Sequence, residues 1–103
     1  MKFGLTDNEY EYLKETVVFP LQGLGCAVWC YGSRARGDHS KYSDVDMMVE
    51  APKTIDESKV QKQIFEISET LSKSNFPYIV DLVLYSNFAE SYKKKYLEEK
   101  KFF

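Results

Sequence analysis

At 103 residues, with 44% hydrophobic and 29% charged side chains, the sequence has the size and balance of one globular domain spanning 1–103. A formal net charge of −2 gives no electrostatic ground for direct nucleic-acid binding, and no run approaches the roughly 18 apolar residues of a membrane span. The start, Met1-Lys2-Phe3 followed by Thr6-Asp7-Asn8-Glu9, has no apolar leader core, so the expected address is cytoplasmic.

Residues 6–19 read as a helix. Thr6 and Glu9 have capping-box spacing, Leu5 is placed to staple onto Tyr10, and Tyr10, Leu13 and Val17 form an apolar stripe. Pro20 is expected to stop this helix, and Gly23 and Gly25 to make the loop after it. Cys26 to Tyr31 is a near-continuous apolar run that predicts a strand buried on both faces. Its two cysteines share a face, too far apart along one strand to bridge. They read as small buried hydrophobes, because His39 is the only histidine and no third cysteine exists to complete a metal site.

A second strand is predicted over Asp44–Glu50, with Asp44, Asp46 and Met48 on one face and Val45, Met47 and Val49 on the other. Residues 56–73 read as the clearest helix, capped by Asp56 or Thr54, with Val60, Ile64, Ile67 and Leu71 buried. Tyr78–Tyr85 reads as a third strand, apolar except for Asp81. A last helix is expected from Ser86 or Asn87, with Phe88, Tyr92, Tyr96 and Leu97 along one side and lysines on the others. Tyr92 and Tyr96 suit either core packing or an interaction surface. The element order α-β-β-α-β-α predicts an α/β (α+β) domain with a small, mixed sheet covered by helices.

Chemistry concentrates between the first two strands. Gly32 and Ser33 stand at the end of a buried strand, where backbone can approach a phosphate and a hydroxyl and an N–H are on offer. Arg34 is the first cation after them and could neutralise phosphate charge. Arg36 fits a salt bridge to Asp38 better, and Gly37 makes the exit turn. Ten residues after Ser33 come Asp44 and Asp46, two apart on a strand and so about 7 Å apart at Cα on one face. Such a pair can share a hard cation such as Mg²⁺, or can simply be solvated at a strand end. Ser43 could hold the turn and orient a ligating carboxylate.

Asp81 bears on that choice. A carboxylate inside an apolar strand is costly unless a cation holds it, and a neighbouring strand could bring it to the same patch. Two divalent ions, or an ion pair with Arg36 or a lysine, would each answer the charge. His39, in a polar loop with no evident partner, reads as a surface residue.

The string YGSRARGDHSKYSDVDMMVE, with Asp81 downstream, resembles the nucleotidyltransferase superfamily that includes DNA polymerase beta, in its minimal, MntA-like branch. The resemblance implies that Asp44 and Asp46 bind two Mg²⁺ ions. Asp81 would complete the second metal site and help deprotonate an acceptor hydroxyl, while Gly32 and Ser33 hold the triphosphate of ATP. It further implies an enzyme that transfers AMP to a tyrosine on a helical HEPN-type toxin, the antitoxin of a toxin–antitoxin pair. The chain spends its length on one sheet and its helices, so the acceptor surface is expected from another chain or a second copy. The exposed Phe102-Phe103 end is expected to form part of that contact. A binding module that silences a helical partner by occlusion, and transfer to a small molecule, are the alternatives.

Overall fold

The computed structural model describes residues 2–103. Its first helix starts at the predicted capping box: Thr6 Oγ1 accepts the Glu9 N–H (3.1 Å) and Glu9 Oε1 accepts the Thr6 N–H (2.8 Å). The helix does not stop at Pro20. After α1 (Asp7–Leu13), a π-helical stretch (Lys14–Val18) widens the turn, and α2 (Phe19–Gln22) continues. Pro20 falls at the head of α2, where a missing N–H and a fixed φ are tolerated.

β1 (Ala27–Tyr31) leads into the short α3 (Gly32–Arg36), and β2 (Val45–Glu50) follows. α4 (Glu57–Ser72), capped by Asp56, crosses to β3 (Val80–Leu84). A 3₁₀ turn (Tyr85–Asn87) separates β3 from α5 (Glu90–Glu99), so the last helix begins later than its sequence suggests. The sheet has four strands rather than three, in the order β3-β2-β1-β4, because Lys101–Phe102 adds β4 at the edge of β1. β1 is antiparallel to β2 and β4, while β2 and β3 are parallel, as a helical crossover requires.

One sheet face carries the main core. Val28, Cys30, Val45, Met47, Val49 and Leu84 pack there with Leu13, Val17, Val18 and Leu21 of the first helix and Val60 and Ile67 of α4. Cys26 and Cys30 are free thiols, and burial pushes Cys30 up to about 12, which fits small hydrophobes. β1 is therefore buried on one face and half-buried on the other, because only α5 covers the second. On that second face the strands align in rows. Tyr31, Asp46 and Asp81 form one row, and Trp29, Met48 and Val83 the next.

α5 lies against this face through Tyr96, which is 1% exposed and donates its hydroxyl to Glu50. Tyr92 and Leu97, expected on the packed side, are exposed, since a helix at the edge of a four-stranded sheet buries a narrow stripe. The chain end is also rearranged. Phe102 is exposed, but Phe103 is buried, stacked on Phe3 and Tyr10, and its carbonyl accepts the Tyr10 hydroxyl. Among the described residues no helix is long and apolar enough to cross a membrane.

Candidate active site

The site begins at the corner where β1 becomes α3. Gly32 turns this corner with φ +74°, and a Cβ placed on it would lie 2.4 Å from Asp46 Oδ2. Glycine is needed there twice over, for the left-handed backbone and for the close approach of a carboxylate. Gly37 ends α3 in the left-handed conformation as a helix cap, with open space around its α-carbon. Between them Ser33 stands in the first turn, half-buried, and its carbonyl accepts the N–H groups of Gly37 (2.9 Å) and Asp38 (3.1 Å).

Asp46 and Asp81 are register partners on parallel β2 and β3, on one face and about 4.8 Å apart in the pairing direction. Asp44 lies just before β2 and is exposed. The Asp46 carboxyl is pushed up to about 6, first by burial, then by the negative charges of Asp81 and Asp44, with Arg36 offsetting part of the effect and Glu99 adding to it. The Tyr31 phenol beside this pair is also raised, by burial and then by Asp46 and Asp81.

Asp81 differs from its sequence reading in one respect. It is exposed, because β3 is an edge strand whose second face α5 leaves open, so burial is not what makes it conspicuous. What matters is its register with Asp46. Among the described residues it takes part in no ion pair: Arg36 instead holds Asp38 (3.1 Å) and Glu99 (3.0 Å). No three acidic, histidine or cysteine side chains among the described residues are already gathered around one point for metal binding. The donor set nonetheless suits a hard divalent cation: oxygen ligands only, mutually repelling, with one held protonated more readily than normal.

Two predicted site residues, Arg34 and Ser43, are engaged elsewhere. Arg34 turns inward and is 2% exposed. Its Nε and Nη2 donate to the Ser43 carbonyl (3.0 and 2.8 Å), its Nη1 donates to the Phe3 carbonyl (2.8 Å), and its guanidinium lies 4.4 Å from the Tyr78 ring centroid. It fastens the β1–β2 connection to the N-terminal segment, and those bonds leave little of its fork for a ligand. Ser43 is the other half of that clasp. Its hydroxyl accepts the Ser40 N–H (2.9 Å) and lies 3.0 Å from Ser40 Oγ, which shapes the turn as expected but aims nothing at Asp44. His39 is half-buried against Gly4, with Nδ1 shielded and unpartnered.

One residue at the site had no sequence signal. Glu99, the last of α5, accepts the Gly32 N–H through Oε1 (3.1 Å) and the Arg36 guanidinium through Oε2 (3.0 Å). A separation of 67 residues from Gly32 hides such a pair from any local pattern.

Comparison with known proteins agrees with this fold. The family described as nucleotidyltransferase domain matches residues 11–103. A Haemophilus influenzae protein named "Probable protein adenylyltransferase MntA" is 30% identical over 67 residues, which is 65% of this chain and 55% of that protein. The chain thus spans about half the length of that relative. A crystal structure of a toxin–antitoxin with AMP-PNP superposes with a TM-score of 0.56 at 19% identity, over 95% of this chain and 72% of that one. A Sulfolobus solfataricus structure superposes at 0.53 and 19% identity, over 93% of this chain and 79% of that one, so the fold is shared. The chain belongs to the nucleotidyltransferase domain family.

Proposed function

We propose that this domain transfers a nucleoside monophosphate, AMP from ATP, to a hydroxyl on another protein. The observation that carries the reading is the alignment of Asp46 with Asp81 beside Gly32, a glycine that the Asp46 carboxylate closely approaches. The Gly32 N–H and the Ser33 hydroxyl hold the triphosphate, while Asp44 and Asp46 present oxygen ligands. Mg²⁺ bound by these carboxylates, two ions with Asp81 contributing to the second, would neutralise charge on the reacting phosphate. Asp81, exposed on its edge strand, is open to an acceptor and would take the hydroxyl proton. The acceptor oxygen forms a bond to the α-phosphorus, the bond from that phosphorus to the β-phosphate oxygen breaks, and pyrophosphate leaves.

The acceptor is a tyrosine on a helical HEPN-type toxin, which makes this chain the antitoxin of the pair. Support comes from the adenylyltransferase name of the Haemophilus relative and from the toxin–antitoxin structure that shares the fold. The test is incubation with ATP labelled at the α-phosphate, Mg²⁺ and the helical partner. Label moves to the partner, and Asp46→Asn abolishes the transfer. Transfer that survives the Asp44→Asn/Asp46→Asn double change overturns the mechanism. Aspartate variants that neutralise the partner as well as the wild type would favour occlusion without chemistry.

A further inference from the structure

The Glu99 carboxylate sits where the proposed chemistry calls for a phosphate. One of its oxygens takes the Gly32 N–H and the other takes Arg36, so a single anion spans a backbone donor and a guanidinium. The side chain is only 13% exposed, so this is a held position and not a passing surface contact. It also brings a negative group towards Asp46, already crowded by Asp44 and Asp81. The bonds to Gly32 and Arg36 hold it there against the repulsion of that cluster. An N–H already donated to one anion cannot serve a second, and a polyphosphate arriving at Gly32 would meet like charge.

We propose that Glu99 is a built-in competitor for nucleotide: its carboxylate holds the Gly32–Arg36 anion seat, and the polyphosphate of ATP displaces it. The inference rests on the phosphate role given above to Gly32 and Ser33. The surroundings provide for the exchange. A cleft of about 180 Å³ opens beside Gly32, lined by Tyr31, Tyr92, Lys95 and Glu99 among others. Lys95 stands one turn before Glu99 on α5 and, unlike Lys93 and Lys100, is in none of the ion pairs among the described residues. It lines the cleft as a cation with no carboxylate partner among the described residues. The release is local. Lys100 is tied to Glu50 and Phe103 is buried beyond it, so what yields is the Glu99 side chain and the last turn of α5 and not the chain end. Nucleotide binding thereby loosens the end of α5, an element with Tyr92 and Leu97 exposed on its outer side.

The chain's single tryptophan reports on the end of α5. Trp29 lies 4.1 Å from Lys100 Nζ, measured to the ring centroid, and edge-on to Phe102 at 5.0 Å. Sodium tripolyphosphate and Mg²⁺–ATP are titrated into the full chain and into Glu99→Gln, with binding read by calorimetry and by Trp29 fluorescence. Glu99→Gln keeps the shape of the side chain and removes its charge. It binds tripolyphosphate about tenfold more tightly, the factor expected when a competitor holding the seat roughly nine-tenths of the time is removed. Hydrogen exchange on the wild type supplies a reading that needs no variant: amides at 95–99 exchange faster once ATP is bound. Wild-type binding with unchanged or weaker binding by Glu99→Gln, or slower exchange at 95–99, overturns the competitor role and leaves the phosphate site standing. Failure of both proteins to bind either ligand overturns the competitor role together with the phosphate role of Gly32.

Discussion

The Cβ that Gly32 lacks would stand 2.4 Å from Asp46 Oδ2, closer than any carbon and oxygen can rest without a bond. The first motif residue and the central acid thus fit one another directly, across a turn and a strand pairing. Gly32→Ala must move Asp46 and also adopt φ +74°, a left-handed conformation costing on the order of 1–2 kcal/mol for a residue with a Cβ. The expected result is a drop in Tm of about 4–16 °C and loss of nucleotidyl transfer. Gly37→Asn, where nothing crowds the α-carbon and asparagine tolerates the left-handed region, should leave transfer nearly intact. Thermal melts and labelled-ATP assays of the two variants check this contrast.

Asp46 makes stability depend on pH in an unusual direction. Its folded pKa is raised to about 6 against an ordinary value of 3.8, so between about pH 4 and 6 the native state keeps a proton that the unfolded chain has lost. Stability from this group is present at low pH and falls as pH rises through 6, and the loss is complete above it. Asp46→Asn removes the ionisation. It should match the wild type near pH 4 and exceed it at pH 8 by on the order of 1 kcal/mol, a figure discounted for the half-exposed site. Adding Mg²⁺ at pH 8 should raise the wild-type Tm and leave Asp46→Asn unmoved. A variant less stable than the wild type at pH 8 without Mg²⁺ would show that the carboxylate is needed by the fold itself.

What the sequence made legible follows from distance along the chain. The Thr6–Glu9 box and the α4 stripe depend on neighbours a few residues apart, and both are found as read, whereas β2 begins one residue after Asp44 and carries only Asp46 of the predicted pair. The passage of the first helix beyond Pro20 depended on a π-helical turn, which apolar periodicity does not announce. Whether Arg34 faced inward was set by carbonyls at Ser43 and Phe3, and a carbonyl carries no side-chain signature. Asp81 was found for a reason the structure revises: it marks the site through pairing with Asp46, while strand order leaves it at an exposed edge. β4 was missed because two residues are too few for any period to register.

That edge position separates chemistry from folding at Asp81. A polar exchange at an exposed site moves stability by about 0.5 kcal/mol or less. Asp81→Asn should therefore melt within a few degrees of the wild type and show the same circular dichroism. Its transfer rate should fall about 10²–10⁴-fold if the carboxylate takes the acceptor proton. ATP affinity, which the proposed function assigns to Gly32, Ser33 and the Asp44–Asp46 pair, should change much less. A single-turnover assay at saturating ATP beside a calorimetric titration resolves the two, and a fall in affinity as large as the fall in rate would move Asp81 into nucleotide binding.

Arg34 should behave in the opposite way. Its guanidinium is buried and joins the β1–β2 connection to the N-terminal segment through the carbonyls of Ser43 and Phe3, with Tyr78 stacked beneath. Lysine keeps the charge but cannot reproduce the fork, so Arg34→Lys leaves at least one buried carbonyl without its donor, at a cost of about 1–3 kcal/mol. The Tm should drop by about 4–24 °C. Well below its own Tm, the variant should bind ATP with near wild-type affinity, since the guanidinium faces carbonyls rather than the Gly32 cleft. Normal stability with weakened ATP binding would instead mean that Arg34 turns outward when nucleotide arrives.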